Sequence, residues 1–98
     1  MSSPPLRRQM RHELKSHPRP FNSILAGHKK HDLRTNDQDF LEGDEILFRE
    51  WDPDMQRYTG RHLIATITYM TRGGELGLAE NLCIMSLALQ YWNLEAPA

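Results

Sequence analysis

Residues 27–34 read Gly27-His28-Lys29-Lys30-His31-Asp32-Leu33-Arg34. Between the glycine and the arginine lie two lysines, two histidines, one carboxylate and one aliphatic residue. A core strand does not need that density of ionisable groups. A site that grips a phosphate, a carboxylate or a nucleobase does. Lys29 offers a point charge for a phosphate or a carbonyl oxygen, or a base if burial lowers its proton affinity; by itself it reads better as an exposed surface lysine. Arg34 offers a planar fork that fits phosphate or a base edge and stacks on rings. Asp32 and Arg34, two apart on a strand, share one face. They either present the guanidinium to a ligand or pair to hold the sheet, and the carboxylate can do both by aiming its partner. His28, His31 and Lys30 add contacts for a base or phosphate.

Other chemistries lack their residues. No second cluster has metal-ligand spacing, so neither a metal nor a cofactor is expected. Ser23 falls in a helical pattern and Cys83 in an apolar run, which leaves no nucleophilic triad. Gly73-Gly74 allows a loop to turn beside a cleft, but no Lys-Ser/Thr follows to make a phosphate loop. Trp51, Tyr58 and Tyr69 are possible stacking surfaces. Packing is the expected role of Trp51 and Tyr69, while Tyr58, in a hairpin loop, is the stacking candidate.

The elements that position these groups follow from periodicity. His12 and Leu14 alternate with Glu13 and Lys15 in a short first strand, 11–15. Ser16-His17-Pro18-Arg19-Pro20 is a turn. Phe21, Ile24 and Leu25 then mark one face of a helix over 20–26, started by Pro20 and ended by Gly27. Such a short helix must pack on a sheet. Lys29–Arg34 is the next strand. Phe40-Leu41 anchors a polar loop before the Glu42-Gly43-Asp44 turn. Residues 45–51 and 61–70 form a long hairpin around 52–60. The first of these strands is apolar on both faces, as in a covered strand or a barrel. After a Gly-containing loop over 75–81, residues 82–89 make the last strand, with helix as the rival reading. Tyr91 and Trp92 are placed at the barrel end.

The chain has 98 residues, of which 39% are hydrophobic and 26% charged. That suffices for one modest core and excludes a disordered chain. The expected organisation is a flexible basic tail at 1–9, a domain at 10–90 and a C-terminal tail at 91–98. No apolar run is long enough for a membrane helix. Met1-Ser2-Ser3-Pro4-Pro5 lacks a secretory apolar segment, and Cys83 is the single cysteine. A reducing, cytoplasmic setting is the expectation. Residues 1–34 hold eight Lys/Arg against two Asp/Glu, a net +6, and residues 35–98 hold four against eleven, a net −7. Four of the five histidines lie in the basic third. The asymmetry points either to an anionic ligand on the first third or to two halves that neutralise each other.

Glu13-Leu14-Lys15, Pro20-Phe21, Ile24, Gly27, Lys29, Asp32 and Arg34 together resemble the ASCH domain of the PUA-like superfamily. That family carries a Gly-x-Lys-x-x-Glu-x-Arg signature after a short helix, with Asp32 at its acidic position here. Asn36-Asp37, Phe40, Gly43-Asp44, Glu50-Trp51-Asp52 and Tyr58-Thr59-Gly60-Arg61 look like a bacterial and phage branch of largely unassigned function, often labelled RNA-binding. The resemblance runs from about residue 11 to 87. It implies an α+β fold: a small PUA-like β-barrel of four to six mostly antiparallel strands, with a short helix after the first strand and the signature lining a cleft. It also implies binding of RNA or a nucleotide there, and it turns Lys29 toward function. Some ASCH proteins are amidohydrolases on acetylated cytidine. They use a Lys at the position of Lys29, a Thr where this chain has Asp32, and a more distant Glu. Lys29 carries over and the Thr does not; Glu75 and Glu80 are the positions available for the Glu. The alternative function is therefore hydrolysis of a modified nucleoside, with Lys29 and Asp32 as catalytic candidates. Other ASCH proteins are reported as nucleases, which these residues do not support. A protein partner on the acidic 35–54 surface is a third reading.

Overall fold

The structure, a computed structural model, describes residues 9–95. The expected tails at 1–9 and 91–98 therefore lie largely or partly outside the described residues.

Strand β1, Arg11–Ser16, buries His12, Leu14 and Ser16 and exposes the residues between them. Helix α1 follows at Pro18–Leu25, two residues earlier than the sequence pattern places it. The reason lies in the prolines. Pro18 and Pro20 both fall in the first turn, where a helix has no use for their missing N–H groups. His17, before a proline, is held extended at φ −67° and ψ 160° and serves as the N-cap. Phe21 and Ile24 bury one face of α1. Gly27, at φ +79°, turns the chain, and the N–H groups of His28 and Lys29 both donate to the Ser23 carbonyl at 3.0 Å.

Strand β2, His31–Thr35, is shorter than expected, with Lys29 and Lys30 leading into it. The loop after it is pinned by Phe40, which is fully buried and donates its N–H to Asn36 Oδ1 at 3.1 Å. Strand β3, Glu45–Asp52, sends Ile46, Phe48 and Glu50 inward. Asp52 Oδ1 accepts N–H bonds from Asp54 and Met55, closing a tight turn. Strand β4 then runs from Arg57 to Arg72 and starts four residues earlier than the hairpin reading proposed. Thr59-Gly60, read there as a turn, is instead a bulge: Arg49 pairs with His62 and Trp51 with Tyr58, so three residues of β4 face Glu50 alone. Gly60, at φ +96°, supplies the left-handed backbone at that point.

A single 3-10 turn, Glu75–Gly77, leads to strand β5, Leu82–Asn93. The last segment is a strand and not the rival helix. It continues past residue 90 because Tyr91, Trp92 and Asn93 pair with Ile64, Leu63 and His62. Tyr91 and Trp92 are ladder residues, about half exposed, and do not close a barrel end.

The strands form one mixed sheet in the order β1-β3-β4-β5-β2; β1 runs parallel to β3 and the other pairs are antiparallel. The two edges, β1 and β2, do not pair with each other, so the sheet is a curled half-barrel and not a closed one. Both edges nevertheless line one recess together with α1. The α+β fold with five strands and one short helix after the first agrees with the sequence expectation. The core lies in the concavity, where Phe21 and Ile24 of α1 meet Phe48, Leu63, Ile67 and Met85 of the sheet. Tyr69, expected in packing, is 61% exposed.

Candidate functional site

Strand β2 reverses the usual polarity of a half-buried strand. Its aliphatic residue, Leu33, faces outward, while Asp32 is buried and Arg34 half-buried. Alternation about the register fixes this: Asp32 pairs with Met85 and Arg34 with Cys83, both fully buried residues of β5. A carboxylate and a guanidinium therefore enter the concavity and must satisfy each other there.

They do so with a third member. Arg34 Nε donates to Asp32 Oδ2 at 2.6 Å, and Lys29 Nζ lies 3.2 Å from Asp32 Oδ1. Lys29 also donates to the His31 carbonyl. Lys29 reaches Asp32 because it precedes the strand and escapes its alternation. Two cations on one carboxylate leave a net positive charge. Among the described residues, Arg34 spends only Nε on a side chain, which leaves the edge carrying its terminal nitrogens for a ligand.

This cluster borders a recess of about 280 Å³. Lys15, Ser16 and His17 form the opposite rim, and Ile24 and Phe48 contribute apolar surface. The size falls just below the ~300 Å³ at which small-molecule pockets begin, which is room for a base or a sugar phosphate. A neighbouring recess of about 260 Å³ shares Ile24 and is lined by Lys29, Lys30 and Leu87–Leu89. So α1 stands between two hollows, one bearing Asp32 and Arg34 and the other the two lysines.

The remaining candidates are dispersed. His28 and His31 are exposed and line neither hollow. Tyr58 is not in a loop: it lies in β4 on the far face of the sheet, edge-on to Trp51 at 5.0 Å. Glu75 accepts the Arg72 N–H at 2.8 Å, and neither it nor Glu80 borders the hollows. The acidic 35–54 segment is less of a surface than its composition implies. Asp44 and Glu50 are buried, Glu45 binds Arg11 at 2.9 Å, and Asp52 closes its turn. Among the described residues, no group of three His, Cys, Asp or Glu is placed to hold a metal ion. Nor is any helix there long and apolar enough to cross a membrane.

Sequence reasoning missed three features. Ser16 and His17 complete the recess rim; extending the 12–14 alternation by one step places Ser16 inward. His12 and Asp44 form a buried pair, Nε2 to Oδ2 at 2.8 Å, with His12 edge-on to Phe40. Asp44 also accepts the Met10 and Leu41 N–H groups, both at 3.1 Å, so it ties β1 to the loop before β3. Glu50 accepts a hydrogen bond from Thr59 Oγ1 at 2.9 Å and has Arg61 at 3.6 Å, whose other terminal nitrogen donates to Asn22 of α1 at 2.8 Å. That bond fixes the helix over the bulge. The Cys83 thiol, opposite Arg34, is pushed above its ordinary range, first by burial and then by the Asp32 charge.

Two comparisons bear on this architecture. The model of a family described as "Domain of unknown function (DUF3850)" matches residues 11–87. A protein of Escherichia phage P2, described as "Uncharacterized 12.9 kDa protein in GpA 3'region", is 35% identical over 60 residues. That match covers 61% of this chain and 53% of the phage protein, about half its length.

Proposed function

The chain belongs to the DUF3850 family, and we infer that it binds RNA or a nucleotide in the recess between α1, the end of β1 and β2. One observation carries this reading: Asp32 holds Arg34 by Nε and Lys29 by its amine, so a net cation with a free guanidinium edge borders a hollow of base-sized volume. Guanidinium edges bind phosphate or a base edge in two-point fashion. Ile24 and Phe48 offer apolar contact for a base, and Lys15 of β1 and His17, the N-cap of α1, add polar groups.

The finer assignment to the ASCH, PUA-like group belongs to the same reading. It is supported by the order Gly27, Lys29, Asp32, Arg34 after a short helix, and by the curled sheet around that helix. The amidohydrolase alternative has less behind it. Asp32 stands where a hydroxyl nucleophile is required, and both its oxygens are engaged by cations. A cytoplasmic setting remains part of the proposal.

A labelled RNA oligomer titrated at about 50 and 200 mM salt tests the reading. Binding should weaken with salt. Lys29→Ala with Arg34→Ala should lower the log–log salt slope by about 1.4, from about 0.7 for each lost phosphate contact on a single strand. Affinity and slope unchanged by the double substitution reject it. Release of acetate from acetylated cytidine in the same preparation would favour the hydrolase instead.

A further inference from the structure

A third hollow, of about 490 Å³, lies on the opposite face of the sheet from α1. Arg11, Arg49, Arg61, Tyr58, His62 and Tyr91 line it, with Leu47 and Ile64 between them, and no carboxylate does. Alternation makes this face: Leu47 and Arg49 point away from the core because Ile46 and Phe48 point into it.

Arg49 is its most available cation. Its guanidinium lies over the Tyr58 ring, 3.8 Å from the centroid. Its carboxylate contact is Glu13, at 3.6 Å and 57% exposed, a separation too long for a hydrogen bond. Among the described residues its N–H groups therefore have no hydrogen-bond acceptor, while the ring below holds the plane in place. Arg61 lines the hollow but turns its terminal nitrogens to Asn22 of α1 and to Glu50, and its Nε is buried with no hydrogen-bond partner among the described residues. His62 and the half-exposed Tyr91 present rings 6.1 Å apart.

This face is joined to the cleft. Lys15 lines the cleft recess, yet its Nζ lies over the Trp51 ring on the outer face, 3.9 Å from the centroid. Trp51 meets Tyr58 edge-on, and Tyr58 carries Arg49. Cations and rings thus lie side by side from the cleft mouth past the end of β1 and onto β3 and β4. Neighbouring guanidinium, ammonium and aromatic surfaces suit a single-stranded nucleic acid, which offers both phosphates and bases. An acidic peptide would use the cations and leave the rings idle.

We propose that the ligand is a single-stranded nucleic-acid segment longer than one nucleotide, which leaves the cleft past Lys15 and crosses the outer face over Arg49, His62 and Tyr91. The proposal rests on the cleft reading for its starting point and goes beyond it in ligand class and in the second face. β1 to β5 spans three strand spacings, about 14 Å, so the path calls for an oligomer.

The test compares uridine monophosphate with a labelled twelve-nucleotide oligouridine. Arg49→Ala with Tyr91→Ala should weaken the oligomer about tenfold or more and leave the mononucleotide unchanged. Lys29→Ala with Arg34→Ala should weaken both. If the double variant melts early, Arg49→Gln alone replaces it. An oligomer indifferent to the outer-face substitutions but lost with the cleft pair overturns the second face and leaves the cleft reading standing. An oligomer weakened by the outer-face substitutions but indifferent to the cleft pair overturns both the continuous path and the cleft reading. An oligomer that binds no more tightly than the mononucleotide overturns the proposal outright.

Discussion

Asp32→Ala removes the group on which Lys29 and Arg34 converge, and its cost follows from burial. Breaking a fully buried ion pair by deleting one partner costs about 3–5 kcal/mol. Exposed pairs are worth about 1 kcal/mol or less. Here the carboxylate side chain is 12% exposed, but Arg34 is 32% and Lys29 23% exposed, so water can take up part of both charges. The expected loss is therefore intermediate, about 2 kcal/mol. For a domain of this size each kcal/mol moves Tm by about 4–8 °C, so thermal unfolding should fall by about 8–16 °C. Arg34→Ala should cost less, because Lys29 still holds the carboxylate. The double substitution should cost no more than Asp32→Ala alone, a coupling of about 1–2 kcal/mol in a double-mutant cycle. Losses that add to within about 0.5 kcal/mol would show that Asp32 and Arg34 act independently, and would refute the view that the carboxylate aims the guanidinium.

Three further outcomes follow from other parts of the structure. Cys83 should resist thiol reagents in the folded protein and react fully on unfolding. Because its proton is held more tightly folded than unfolded, its contribution to stability is complete below the ordinary thiol range and lost as pH rises above it; urea titrations above about pH 9 should show that decline, shallower in Cys83→Ala. Gly73→Ala would place a Cβ 2.0 Å from the Glu80 carbonyl oxygen, so the backbone must shift; calorimetry should show a loss of about 1–3 kcal/mol. His12→Ala removes a buried partner of Asp44 and should cost about 3 kcal/mol, with faster hydrogen exchange at the Met10 and Leu41 amides, while the RNA binding proposed for the cleft should be unaffected.

The fold was legible wherever the pattern was local. Phe21, Ile24 and Gly27 gave the helix, and alternation gave β1, β3 and the shared face of Asp32 and Arg34 on β2, though not that this face points inward. The errors arose where one residue type serves two structures. Thr59-Gly60 has turn composition, but a bulge needs the same left-handed glycine, and so Tyr58 was placed in a loop. Tyr91 and Trp92 read as a barrel end because nothing in their own spacing reveals pairing with β4. The Asp32–Arg34 pair could be read from the chain, but Lys29 could not be added to it. A strand begun at residue 29 sets Lys29 on the face of His31 and Leu33, whereas β2 begins only at His31. His12 with Asp44 and Arg61 with Asn22 could not be read either, since 32 and 39 positions separate them and only the parallel β1–β3 pairing and the helix docking bring them together.

The central claim is that Arg34, steadied by Asp32, presents its free edge to an anionic ligand in the α1 recess. A co-crystal structure with a short single-stranded RNA addresses it most directly. The account predicts a phosphate or base-edge oxygen about 2.7–2.9 Å from a terminal nitrogen of Arg34, with Lys29 beside it and Nε still on Asp32. An RNA bound at full occupancy that leaves this recess empty, or an Arg34 swung off Asp32 to reach it, would contradict the account.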